Sequence, residues 1–325
     1  MKVFTEALPT NQATITCYVQ DNSPEMLNIT TRPAMLIFPG GGYYMCSDRE
    51  AEPIAVAYMN QGYNAFVVRY TVGQDATFAQ ALDDAKAAMA YLHKNAETLG
   101  IDTQRIAAVG FSAGGHLAAC LGTVNKEQRP NALILGYPCI LASSGAMLGK
   151  ALPGAYEAVD AQTPPTFLFS TQGDNVVPIE NSLQFIAALA KAGVPFEEHI
   201  FLTGEHGLSL ASSHTCSGKA DAIDADVAQW LAMSARFLKH IWGDFPVQGA
   251  RAEFTLHKDV LDLPMRKLLE NPQAEALINE ALPQFAAQKN MMQGLSLRRL
   301  SAFAQGTIPE ETFTALGEKL RPLFA

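Results

Sequence analysis

The sequence predicts an α/β protein: a mostly parallel central sheet with helices on both faces, followed by a small all-helical C-terminal extension. Three observations carry this. Short β-rich runs alternate with stretches of helical apolar spacing through residues 1–245. Several of those runs are continuously apolar, as strands covered on both faces require. After Gly243-Asp244-Phe245-Pro246 the strand runs stop and short helical patterns take over.

Strands are expected at Ala13–Val19, Ala34–Phe38, Ala65–Arg69, Ile106–Gly110, Ala132–Leu135, Thr166–Ser170 and Phe196–Phe201. Between them, Phe78, Leu82, Ala85, Met89 and Leu92 keep a three-four spacing, which puts one apolar stripe on a helix. Leu183, Ile186 and Ala190 do the same after Pro178, and Val227, Trp230, Ser234, Phe237 and Ile241 mark a last helix ending near Gly243. Strand–helix alternation of this kind builds a parallel sheet with helices on both faces. Residues 246–325 form a second domain. There Asn271-Pro272 reads as an N-cap with proline at the first helical position. Thr307-Ile308-Pro309-Glu310 reads as a capping box ahead of Phe313, Leu316, Leu320 and Leu323. Helices of about ten residues are marginal alone in water. These must pack on each other, on the first domain, or on a second copy as a homodimer contact.

Composition bounds the function. The chain has 325 residues, 48% hydrophobic and 17% charged, which excludes a disordered chain. No run of about 18 apolar residues exists, so no membrane span or membrane partner is expected. Met1–Glu6 lacks the apolar core of a secretory signal. The five cysteines have no C-x-x-C spacing and read as reduced thiols of a cytoplasmic protein, with no metal site. The net charge of −9 lies wholly in residues 1–245, because 246–325 hold nine basic and nine acidic residues. An acidic chain without a basic patch repels phosphate backbones, so no nucleic acid is expected as a partner.

The sharpest motif is Gly110-Phe111-Ser112-Ala113-Gly114-Gly115-His116. It fits G-x-S-x-G, follows an apolar strand and opens a helix-compatible stretch. That turn projects the serine hydroxyl above the sheet and leaves no room for side chains at its glycines. A serine hydroxyl needs a base, and the base needs an orienting acid. In the chain order Ser, acid, His, Asp174 follows the strand Thr166–Ser170 within Gly173-Asp174-Asn175. His206 follows the next strand within Gly204-Glu205-His206-Gly207. Both sit just past strand C-termini, where open sheets bind ligands. Of the other histidines, His116 reads as a structural hydrogen-bonding residue on the elbow helix, His199 lies inside a strand, and His214 is the best rival to His206. Acyl transfer also needs oxyanion donors. Phe38-Pro39-Gly40-Gly41-Gly42-Tyr43-Tyr44 supplies a backbone that a ligand oxygen can approach, with Ala113 N–H as the second donor. Tyr43 and Tyr44 are candidate substrate-binding wall. Ser47-Asp48-Arg49-Glu50 reads as a capping box with a structural role. Cys46 and Cys120 lack the strand-turn-helix setting of a nucleophile.

These residues resemble the α/β-hydrolase superfamily, and more narrowly the bacterial esterases grouped with feruloyl and acetylxylan esterases. The resemblance runs from Pro39–Tyr43 and Ser47–Pro53 through Gly110–Leu117, Thr163–Phe167 and Asp174–Pro178 to His206–Ser209. It implies Ser112 as nucleophile, Asp174 as orienting acid, His206 as general base, and an oxyanion hole from Ala113 with Gly41 or Gly42. Where many related esterases carry His-Gly-Gly-Gly, this chain has Pro39-Gly40-Gly41-Gly42. That leaves the backbone donors and reopens which glycine donates. No cofactor is implied. The stretch Leu141–Gln162, where many hydrolases insert a lid, is short and rich in Gly, Ala and Ser. It predicts an open site suited to a short acyl group, acetyl first, on a bulky alcohol such as a xylo-oligosaccharide. The alternatives are a general carboxylesterase or a small serine peptidase on the same fold, and, with the triad broken, a non-enzymatic binding protein.

Overall fold

The computed structural model describes residues 1–10, 12–246, 259–283, 292–304 and 308–324. The first unit contains β1 (Lys2–Ala7), β2 (Thr14–Val19), β3 (Arg32–Phe38), α1 (Glu52–Met59), β4 (Asn64–Arg69), α2 (Phe78–Lys94) and α3 (Ala96–Leu99). It continues with β5 (Ile101–Phe111), α4 (Ser112–Thr123), β6 (Ala132–Gly136), α5 (Ser144–Leu148), β7 (Thr166–Thr171), α6 (Glu180–Ala192), β8 (Phe196–Phe201) and α7 (Trp230–Trp242). One sheet runs in the order β1-β2-β4-β3-β5-β6-β7-β8. The pairs β1–β2 and β2–β4 are antiparallel and the rest are parallel.

All seven residues of β3 are buried, as its unbroken apolar run requires. Its side chains alternate between two cores because successive residues point to opposite faces of a strand. Leu36 and Phe38 join Leu82, Met89, Leu92, Leu117 and Phe185, from α2, α4 and α6. Met35 and Ile37 join Tyr58, Trp230 and Phe237, from α1 and α7. The helices therefore cover both faces. Of the α2 stripe, Leu82, Ala85, Met89 and Leu92 are buried and Phe78 packs part-buried at its start, and the helix opens on a capping box between Thr77 and Gln80.

Three expectations need correction. The α6 stripe Leu183–Ile186–Ala190 is not the buried face: Leu183 is 48% exposed, while Asn181, Ser182, Phe185 and Leu189 are buried. Phe185 and Leu189 keep the same four-residue spacing, so periodicity alone admits both faces. Strand β1 has no counterpart in the expected strands. It pairs along one edge only, and its residues are exposed apart from Phe4, which packs part-buried against the core. Ser47 caps nothing with its side chain, and Asp48–Glu50 forms a single 3-10 turn with Glu50 buried.

The chain divides into two compact units, Met1–Phe254 and Thr255–Ala325. In the second, α8 (Met265–Leu268), α9 (Pro272–Ala281), α10 (Leu297–Phe303) and α11 (Glu310–Leu320) surround a core of Leu261, Met265, Leu268, Ile278, Leu300, Phe313 and Leu320. Asn271 caps α9, its side chain accepting from Gln273 and Ala274 N–H. Thr307 lies outside the described residues, and α11 starts after Pro309 with no side-chain cap. Among the described residues no helix is long and apolar enough to cross a membrane.

Candidate active site

Ser112 stands at the junction of β5 and α4 with φ +53°, a left-handed conformation that non-glycine residues rarely adopt. The flanking glycines explain how the chain reaches it. A Cβ on Gly110 would lie 2.2 Å from the Gly114 carbonyl oxygen, and one on Gly114 would lie 2.1 Å from the Phe38 carbonyl oxygen. The turn is thus pressed between its own helix and the end of β3, with the serine as its exposed point.

Two loops meet Ser112 from the C-terminal ends of neighbouring strands. After β8, His206 brings Nε2 within 2.8 Å of Ser112 Oγ. After β7, Asp174 places Oδ2 at 2.7 Å from His206 Nδ1. Asp174 Oδ1 accepts the N–H groups of Val176 and Val177 at 2.9 and 2.8 Å, which locks the carboxylate in its turn. The Asp174 side chain is 3% exposed and that of His206 14%. With Asp174 accepting at Nδ1, the imidazole proton lies on that side and Nε2 is free to accept from the serine hydroxyl. Sequence-expected residues as much as 94 positions apart thus form one hydrogen-bonded chain only because three parallel strands end together.

The glycine loop after β3 lies against this chain. A Cβ on Gly40 would come within 3.1 Å of Ser112 Cβ. Gly40 N–H is already engaged, donating to Glu50 Oε2 at 2.8 Å. Among the described residues the N–H groups of Gly41 and Gly42 meet no acceptor, and both glycines have positive φ. Ala113 N–H, in the first turn of α4, also points out of the helix ladder, as first-turn amides do.

The two tyrosines part company. Tyr43 is 2% exposed, and its hydroxyl donates to His116 Nδ1 at 2.7 Å. It belongs to the core under the loop and is not a substrate wall, which corrects the expectation. Tyr44 is 41% exposed. Its hydroxyl donates to the Leu148 carbonyl, and Lys150 Nζ stands 4.7 Å above its ring. The segment 141–162 is thereby fastened to the rim of the glycine loop.

The thiols near the site are held protonated. Cys139 N–H donates to the Ser112 carbonyl at 3.1 Å, and burial pushes its thiol up to about 12, against the pull of a hydrogen bond with Ser112. Burial likewise pushes Cys46 up to about 11. A thiol in that state is a poor nucleophile. His199 pairs with Glu197 inside β8, and His214 meets Ser212, so neither approaches Ser112. Among the described residues no cluster of three His, Cys, Asp or Glu side chains is arranged to hold a metal ion.

Sequence reasoning missed Glu50, Tyr137 and Arg49 as parts of the site. Arg49 Nη1 donates to the Gly207 and Thr215 carbonyls, fixing the chain beyond His206. A signal was present in the position of Arg49-Glu50, two charged residues shortly beyond a glycine run that follows a buried strand.

This fold and site define an α/β hydrolase, and comparison with known proteins agrees: the chain belongs to the α/β-hydrolase family. Its kinship is with that family's carboxylic ester hydrolases of the feruloyl and acetylxylan esterase type. The BD-FAE family model matches residues 22–138, and the prolyl oligopeptidase family matches residues 153–232. MGS-M1, an α/β-hydrolase enzyme from a Medee basin deep-sea metagenome library, is 47% identical with a TM-score of 0.68, over 73% of this chain and 97% of that one. An acetyl ester-xyloside bifunctional hydrolase from Caldicellulosiruptor lactoaceticus is 34% identical with a TM-score of 0.63, over 72% and 90% of the two chains. The acetylxylan esterase of Xylanibacter ruminicola is 29% identical over 242 residues, which are 68% of this chain and 48% of that protein. The chain spans 34% of the length of the endo-1,4-beta-xylanase B of Butyrivibrio fibrisolvens, which it also matches, and 48% of that acetylxylan esterase.

Proposed function

We propose that the chain is a serine esterase that removes a short acyl group, acetyl in the first instance, from a carbohydrate ester. The observation that carries this is the hydrogen-bonded chain Ser112–His206–Asp174 beside a glycine loop with free amides. Ser112 Oγ attacks the ester carbonyl while His206 Nε2 takes its proton, and Asp174 holds the imidazolium that forms. The carbonyl oxygen gathers charge against Ala113 N–H and the N–H of Gly41 or Gly42. His206 then gives its proton to the departing alcohol, leaving the acyl group on Ser112. Water attacks that ester with His206 again as base, releasing the carboxylic acid and restoring the serine.

The substrate class is supported by the acetyl-ester-cleaving relatives and by the short segment 141–162, which holds only α5 and one 3-10 turn. So small a cover suits a bulky leaving group. Tyr44, exposed on the rim, is the residue proposed to meet the sugar. With five free thiols the enzyme fits a reducing, cytoplasmic compartment, where acetylated oligosaccharides rather than intact polymer would reach it.

The test compares wild type and Ser112→Ala on 4-nitrophenyl acetate, butyrate and octanoate, beside acetate release from acetylated xylo-oligosaccharides. The variant is expected to lose at least about a thousandfold in kcat, with acetyl preferred and the sugar esters cleaved. Chromogenic activity without sugar-ester cleavage would leave a general carboxylesterase. Ser112-dependent cleavage of peptide substrates alone would instead favour the peptidase reading.

A further inference from the structure

Glu50 is a buried carboxylate that the reaction steps above do not use. It is 3% exposed, and both of its oxygens are engaged. Oε2 accepts Gly40 N–H at 2.8 Å, and Oε1 accepts from the Tyr137 hydroxyl at 2.6 Å. Tyr137, 1% exposed just past β6, accepts in turn the Ser209 N–H at 2.9 Å. Its ring packs edge-on against His206, the centroids 5.0 Å apart. Ser209 is held from its other side as well, its carbonyl accepting from the Trp230 indole at 2.9 Å and its hydroxyl donating to the Arg49 carbonyl. A single carboxylate therefore joins the glycine loop to the loop that carries His206.

We propose that Glu50 is a positioning residue for ester hydrolysis: one oxygen sets the glycine loop that faces the oxyanion, and the other, through Tyr137, sets the loop of the general base. The role rests on the esterase reading. Two backbone N–H groups fix the direction of the network, since they can only donate. With Ser209 donating to the phenol oxygen, the phenol proton points at Oε1, and both Glu50 oxygens act as acceptors. A glutamine offers one acceptor oxygen and an NH₂ that would face either Gly40 N–H or the phenol, leaving a buried group unpaired. The packing transmits the fault. A Cβ on Gly40 would stand 2.6 Å from Glu50 Oε2 and 3.1 Å from Ser112 Cβ, so carboxylate, loop and serine are stacked without slack.

The experiment is steady-state hydrolysis of 4-nitrophenyl acetate by the full chain as wild type, Glu50→Gln, Tyr137→Phe and the double variant. Tyr58→Phe serves as control, because it deletes a buried hydroxyl that pairs with Ser234 at 2.7 Å away from the site. Glu50→Gln is expected to lower kcat about ten- to a hundredfold with KM moved less than about threefold, because a misplaced oxyanion donor is felt in the transition state. The double variant should fall little below the worse single, since both changes break one connection. Tyr58→Phe should melt earlier and keep its kcat. If Glu50→Gln does not fold, Tyr137→Phe, which removes one oxygen atom, decides the matter. Wild-type kcat in the readable variant, a loss confined to KM, or independent multiplying losses in the double variant would overturn the role. A wild type with no Ser112-dependent ester hydrolysis would overturn the esterase reading itself, and this role with it.

Discussion

His206 and His116 share a side chain and little else. His206 faces a carboxylate on one nitrogen and a hydroxyl on the other, at the edge of solvent. His116 is fully buried, with Nε2 donating to the Pro153 carbonyl at 2.9 Å and Nδ1 accepting from Tyr43. Burial pushes it down to about 4 from 6.5, the carbonyl bond opposing only in part. The groups that face it, Tyr43 and Cys120, are both pushed upward by burial, so neither titrates in the same range. Between 6.5 and about 4 the unfolded chain binds a proton at this position that the folded chain refuses. His116 therefore favours folding fully above 6.5, and that contribution is lost as pH falls towards 4. Its slope is at most about 1.4 kcal/mol per pH unit. Urea denaturation of wild type and His116→Gln should show a stability gap that is widest near neutral pH and narrows on acidification. A gap that stays constant from neutral to acid would refute the assignment.

Among the elements, α6 separates periodicity from burial. Its sequence carries two apolar sets with four-residue spacing, and packing selects Phe185 and Leu189 while Leu183 faces water. Phe185→Ala should cost about 3–5 kcal/mol through the cavity it leaves, and Leu183→Ala less than about 0.5 kcal/mol. Equal midpoints in urea for the two variants would reverse the face. The same contrast runs through the site. Ser112 was legible because its turn is a local event, specified by Gly110 and Gly114 within four residues of chain. Asp174 was legible because it follows β7, a buried strand that announces itself by composition, and His206 because it sits in a glycine-flanked turn just past the next strand, the half-exposed edge strand β8. Glu50 was not, because its partners are Gly40 across a loop and Tyr137 from a distant strand, contacts that leave no periodic trace. Nor was Tyr43's burial, since a loop tyrosine becomes core only once His116 arrives from α4. Edge strand β1 escaped for the opposite reason: only Phe4 packs part-buried against the core, so it carries no apolar alternation to read.

For the whole molecule, the division into units sets what each can lose. Ser112, His206, Asp174, Glu50 and the glycine loop all belong to Met1–Phe254, while Thr255–Ala325 keeps a core of its own. A unit of about 70 residues has a stability of only roughly 4–10 kcal/mol at the usual value per residue. Leu320 is fully buried in it, and Leu320→Ala should remove about 2–5 kcal/mol. That is enough to bring this unit close to unfolding. Calorimetry of the full chain should then show a separate low-temperature transition that Leu320→Ala lowers or abolishes, with the upper transition unmoved. Hydrolysis of 4-nitrophenyl acetate below that upper transition should keep its wild-type kcat, because every residue assigned to the chemistry lies in the other unit. Loss of hydrolysis together with the lower transition would show that the helical extension completes the site. A single transition displaced as a whole would show that the two units unfold as one.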